Sequence, residues 1–112
     1  MIIDKTNAEH YIWGEGCEGW HLLKSDALSV IQERVPAGKS EKHHLHHTSR
    51  QFFYILKGNA VIEVNGILHE LSEGQSIEVS QEVPHQFMNQ SENDIEFIVI
   101  SMPKSHGDKV EL

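Results

Sequence analysis

Four of the chain's nine histidines fall within five positions, in the stretch Gly38-Lys39-Ser40-Glu41-Lys42-His43-His44-Leu45-His46-His47-Thr48-Ser49-Arg50-Gln51. Neutral imidazole suits zinc, nickel, iron, cobalt and copper, whereas a dedicated calcium or magnesium cage wants oxygen ligands. On an extended strand residues i and i+2 share a face, so His44 and His46 point one way and His43, Leu45 and His47 the other. Two imidazoles on one face begin a metal site. Periodicity alone does not choose between the 44/46 and 43/47 pairs. A further histidine, His85, follows Pro84, whose fixed φ sharpens a turn, and precedes the strand start Gln86-Phe87-Met88-Asn89.

These side chains need elements to hold them. The eight glycines are spread singly along the chain, at intervals too short for many helices. Residues 20–24, 28–35, 43–47, 51–57, 60–64, 67–71, 75–79, 85–88 and 94–101 read as short strands between turn signals, and Asn65-Gly66 is the strongest hairpin signal. That pattern predicts an all-β sandwich or small barrel. The glycine-rich segment 11–21, flanked by Trp13 and Trp20, is expected to cap the barrel mouth. The tail from residue 103 is expected to be irregular and exposed. The runs at 52–56 and 97–100 lack polar alternation, which predicts a strand face covered by a second subunit, hence a homodimer. Phe53 and Ile55 share the parity of Gln51 and, with Phe87, are expected to line a pocket. Tyr54 has the opposite parity and is expected to pack outward with its hydroxyl on a polar partner.

The chain resembles the cupins, small double-stranded β-helix (jelly-roll) metalloproteins. Their first motif is a glycine, five residues, His-x-His, three or four residues, a glutamate, six residues and a glycine. Gly38, His44, His46, Gln51 and Gly58 stand at those places, with glutamine for the usual glutamate. Their second motif, Gly-x5-Pro-x-Gly-x2-His-x3-Asn, is met by Gly74, His85 and Asn89, with Ser80 and Glu82 replacing the proline and glycine. The resemblance implies a cupin barrel over residues 1–112, with 1–20 as an edge or rim segment and 103–112 as a tail. It implies one divalent transition metal per chain (iron, nickel, zinc, manganese or cobalt) on His44, His46, Gln51 and His85. His43 and His47 then face outward, as subunit contacts or supports behind the ligands, and Arg50 at the rim could pair with a substrate anion. A glutamine carbonyl brings no charge, so such a centre should be electrophilic, weakly retained and open to an anionic ligand. Gln51 and Tyr54 are the candidate catalytic side chains.

Composition narrows the partners. Nine Lys and Arg against seventeen Asp and Glu give a net charge of −8. Such a surface repels phosphate backbones and anionic lipid, so neither nucleic acid nor membrane is expected as a partner. No apolar stretch is long enough to span a bilayer. The single cysteine, Cys17, cannot form an internal disulfide, which suggests the cytoplasm. Phosphate-loop, dinucleotide and serine-nucleophile motifs are absent. The expected activity is metal-dependent chemistry on a small oxygenated metabolite, of the dioxygenase or the isomerase and epimerase type. The alternatives are a non-catalytic small-molecule or metal-binding module and a structural homodimer holding adventitious metal.

Overall fold

The computed structural model describes residues 1–112 as eleven strands. In chain order they are β1 (Glu9–Trp13), β2 (Cys17–Lys24), β3 (Ser29–Val35), β4 (His44–His46), β5 (Arg50–Lys57), β6 (Ala60–Val64), β7 (Ile67–Leu71), β8 (Ser76–Val79), β9 (His85–Met88), β10 (Ile95–Met102) and β11 (Lys109–Glu111). They form two antiparallel sheets, a six-stranded one in the order β1-β2-β3-β10-β5-β8 and a five-stranded one in the order β11-β4-β9-β6-β7. This is the double-stranded β-helix, with the inner faces of the two sheets enclosing the core. Asn65 and Gly66 both take positive φ, 50° and 82°, as a two-residue hairpin between β6 and β7 requires.

Register gives the inner face of the large sheet a polar end and an apolar end. Ser29, Ser101 and Gln51 lie side by side on β3, β10 and β5, followed by Ile31, Val99 and Phe53, then by Glu33, Phe97 and Ile55. The apolar end is the packed core, where Ile55, Ile62, Val35, Phe87, Ile95 and Phe97 are essentially without solvent contact. Phe87 stacks on Phe97 with ring centroids 4.1 Å apart. The polar end stays open and faces β4 and β9.

The structure corrects two expectations about the ends of the chain. The glycine-rich segment 11–21 is not a capping loop. It is the β1–β2 hairpin, turned by Gly14 and Gly16 at positive φ, on the edge of the large sheet. The tail is not irregular either, since β11 pairs with β4 through Lys109–His46, Val110–Leu45 and Glu111–His44. Asp108 fixes its start by accepting the backbone N–H groups of His47, Thr48 and Ser49 at 3.2, 2.9 and 2.9 Å. A three-residue strand flanked by polar residues has too little periodicity to announce itself.

The outer face of the large sheet carries Phe52, Tyr54 and Leu56 on β5 beside Ile98 and Ile100 on β10. Lys5 of the N-terminal segment lies over part of it, on Trp20 and Glu96, while Tyr54 and Leu56 are 38% and 42% exposed.

Candidate metal centre

β4 and β9 are neighbours, and their one directly paired position sets His44 opposite His85. His46, two residues along β4, points to the same side. All three side chains are buried, and one ring nitrogen from each lies within 4.8 Å of the others. The ring centroids are 4.4 Å (His44–His85), 4.9 Å (His44–His46) and 5.7 Å (His46–His85) apart.

The backbone aims two of the rings. His44 Nδ1 lies 2.6 Å from the Lys42 carbonyl and His85 Nδ1 lies 2.9 Å from the Val83 carbonyl, each two residues upstream. A carbonyl only accepts, so both Nδ1 atoms carry the proton and both Nε2 atoms present lone pairs. Burial holds all three imidazoles below their ordinary titration range, His44 to about 3 and His46 to about 4, with His85 displaced the same way. They are therefore neutral near pH 7, the form that ligates metals. The His46 Nδ1 is buried with no hydrogen-bond partner.

Gln51 reaches the same point from the opposite sheet. Its Nε2 donates to Ser101 Oγ at 3.0 Å, which turns its carbonyl oxygen to 3.2 Å from His85 Nε2. Two lone pairs then face each other, an arrangement that a cation between them would relieve. Three neutral imidazoles, one of them with an unpartnered buried ring nitrogen, and one carbonyl oxygen form a donor set that fits a first-row divalent ion.

His44, His46 and Gln51 open on a cavity of about 320 Å³, with His85 behind them. Trp13 and Phe53 are among the residues lining it. Ile55 and Phe87 do not, because both side chains belong to the packed core. Trp20 does not line it either, since it sits on the outer face of β2 beside the His10 ring and under the Lys5 ammonium. Tyr54 is likewise corrected as a catalytic candidate, because strand alternation places it on the exposed outer face, away from the cavity. His43 and His47 face outward, near Glu63 at 3.8 Å and Glu82 at 3.0 Å. Arg50 pairs with Glu78 at 3.5 Å on the exposed side. None of these three hydrogen-bonds an imidazole of the triad.

Sequence reasoning missed the cavity's acidic wall, Tyr11, Glu33 and Glu41, and its one lysine, Lys109. Tyr11 lies across β2, where a Cβ on Gly19 would come within 2.3 Å of its ring, and its hydroxyl donates to Glu33 Oε1 at 3.2 Å. Burial raises the Tyr11 phenol and pushes the Glu33 carboxyl up to about 7. Glu41, also by burial, is pushed up to about 8. Glu33 had a signal in the sequence, a charged residue sharing strand parity with Ile31 and Val35 on an apolar face. Glu41 lies between strands, where periodicity offers none.

Two motif positions are explained locally. Glu82, where a glycine is usual, holds a positive φ of 66°. Asn89, fully buried, donates to the Val35 and Asn93 carbonyls and accepts from Ser91, tying β9 to the next loop.

Comparison with known proteins agrees with this fold. The family model described as "Cupin domain" matches residues 31–101. An uncharacterized protein of Methanocaldococcus jannaschii is 27% identical over 89 residues, covering 79% of this chain and 71% of that protein. Among solved structures, KdgF from a Halomonas species superposes with a TM-score of 0.85 at 17% identity, covering 93% of this chain and 94% of the other. A cupin-superfamily protein of Silicibacter pomeroyi described as a sugar phosphate isomerase gives a TM-score of 0.80 at 18% identity, covering 93% and 76%. Likeness at these identities is likeness of fold.

Proposed function

The chain belongs to the cupin family, and from that premise we propose that it is a mononuclear metal enzyme acting on a small oxygenated metabolite. His44, His46, His85 and Gln51 would hold the ion. The observation that carries the reading is the inward aim of the imidazoles, with the Nδ1 protons of His44 and His85 on backbone carbonyls and the Nε2 lone pairs turned to one point. Support of this kind behind metal-binding histidines fixes tautomer and orientation. A divalent ion there supplies a Lewis acid that stabilises developing charge on an enolate or alkoxide oxygen and, as iron(II), redox chemistry with dioxygen.

The chain's own residues do the rest. Trp13, Ile31, Phe53 and Val99 keep one side of the cavity dry, and Tyr11, Glu33, Glu41 and Lys109 offer polar contacts to a ligand's oxygens. The cavity volume of about 320 Å³ suits a small molecule. Isomerase or epimerase chemistry is favoured by the pairing of an electrophilic site with ionisable groups in the same cavity. Dioxygenase chemistry is the alternative within the enzyme class, and a non-catalytic binding module is the alternative outside it. We also propose a homodimer through the apolar face around Tyr54 and Leu56, and a cytoplasmic setting for a chain whose only cysteine is buried and free.

Elemental analysis of tag-free protein tests the metal. One equivalent is expected in the wild type and almost none in His44→Ala/His46→Ala. Equal metal in both would overturn the site. Proton exchange in D₂O and oxygen uptake, measured on a panel of small diketones, hydroxy acids and sugars, then separate isomerase from dioxygenase. Stoichiometric metal without turnover on any of them would favour the binding module.

A further inference from the structure

The donor set is short of charge. Three neutral imidazoles and an amide oxygen leave both positive charges of a divalent ion uncompensated. Among the carboxylates near the cavity, Asp108 is committed to three backbone amides. Glu63, Glu78 and Glu82 lie outside it. Glu33 is held by Tyr11, two rows along the inner face from Gln51.

Glu41 differs. Residues 39–41 are zipped onto β9. The Glu41 N–H donates to the Phe87 carbonyl at 3.1 Å, the Asn89 N–H donates to the Lys39 carbonyl at 2.9 Å, and Gln86 Nε2 donates to the Glu41 carbonyl at 2.9 Å. The side chain is fixed as well, since its Oε1 accepts the Phe87 N–H at 2.8 Å. Its Oε2 has no hydrogen-bond partner and lies 3.9 Å from His44 Nε2, the lone-pair nitrogen of the triad, in the wall of the same cavity.

On the reading of the triad as a metal centre, we propose that Glu41 is the anionic member of that centre. Its free oxygen supplies, across the open side of the site, the negative charge that Gln51 does not. The role is that of a positioning and charge-balancing group rather than a fourth direct bond, because its oxygens lie outside the close cluster formed by the three ring nitrogens.

The test is cobalt(II) affinity, measured on metal-free, tag-free protein by competition with a chromophoric chelator. The variants are Glu41→Gln, Gln51→Glu, Glu41→Gln/Gln51→Glu and His44→Ala/His46→Ala. Glutamine at 41 keeps an oxygen for the Phe87 N–H, so the fold is expected to hold, with circular dichroism as the check. Glu41→Gln should weaken cobalt binding about 10- to 100-fold, the loss typical of an outer partner of a metal site. Adding Gln51→Glu should restore most of it, a compensation that a merely structural role would not give. Tight wild-type binding that Glu41→Gln matches within about twofold overturns the role of Glu41 alone. Failure of the wild type to take up cobalt, or equal uptake by His44→Ala/His46→Ala, overturns the triad and Glu41 together.

Discussion

Acidification of the metal-free protein sets two groups of buried side chains against each other. His44 and His46 titrate at about 3 and about 4 in the folded chain, against an ordinary value of 6.5. The unfolded chain takes up these protons as the pH falls through 6.5 and the folded chain does not, so the stability they contribute is present above 6.5 and lost below it. Between pH 7.5 and 5.5 the loss is roughly 1–1.5 kcal/mol for each, about 3 kcal/mol for the pair. It depends only on the folded values lying well below 5.5, and His85 acts in the same direction. Glu33 and Glu41 act in the opposite sense. Their carboxyls stay protonated up to about 7 and about 8 in the folded chain, against 4.5 ordinarily, so their burial destabilises increasingly as the pH rises from 4.5. Over the same acid step they return about 2 kcal/mol each, less whatever water in the cavity relieves. The wild type should therefore change by no more than about 1 kcal/mol between pH 7.5 and 5.5. Glu33→Gln/Glu41→Gln, stripped of the opposing contribution, should lose about 3 kcal/mol. Urea unfolding at both pH values, with chelator present and at one protein concentration, reads the difference directly. A double variant whose acid sensitivity matches the wild type within about 1 kcal/mol would refute the reasoning.

Other expectations follow from single contacts. Gln51→Glu should slow cobalt loss to a chelator by about tenfold or more, since a unit charge is added beside the ion; an unchanged rate would show that Gln51 does not touch it. Gly19→Ala should cost about 1–3 kcal/mol, because the new methyl would stand within 2.3 Å of the Tyr11 ring; the near-ultraviolet signal of Tyr11 should change with it. Asp108→Ala leaves three amides without their acceptor, should cost about 1–3 kcal/mol, and should speed amide exchange at residues 47–49 and in β11. Tyr54→Glu, a charge placed on the exposed apolar face, should give monomers by light scattering with the strand signal intact. A monomeric wild type would end the dimer proposal.

The parts of the site carried by strand parity were legible in the sequence. His44 and His46 share a face because the side-chain period is two, Gln51 shares one with Phe53 for the same reason, and the glycines at 38, 58 and 74 mark the turns between. The same parity argued against Tyr54 as a catalytic group, and the structure agrees with the parity. How deep a residue sits along the barrel was not legible. Phe53 and Ile55 have identical parity, yet the first lines the cavity and the second lies in the core, because depth depends on register with β10, where they face Val99 and Phe97. β11 and Glu41 were missed for a related reason. Both are placed by hydrogen bonds to distant strands, β4 for one and β9 for the other, and a single chain's periodicity does not encode a partner.

Glu41 offers folding nothing that glutamine would not. Its one side-chain hydrogen bond, from the Phe87 N–H, needs only an oxygen acceptor, and its buried carboxyl makes no salt bridge other than with the weakly basic His44, the Lys109 ammonium of the same cavity acting on it only at a distance. A buried carboxyl with no cation in contact is destabilising once ionised, and burial pushes its titration up to about 8 against the weaker pull of Lys109. A dication in the cavity reverses the balance, since it favours the ionised form of any carboxyl facing it. Two properties should then move in opposite directions in Glu41→Gln. Above pH 8 the metal-free variant should be more stable than the wild type to urea, while its cobalt affinity falls. A group kept for packing would lose both or neither, so a variant that is both less stable and equally tight for cobalt would return Glu41 to the core. Opposite movement is the mark of a residue held at a cost to the empty fold for what it does when the site is filled.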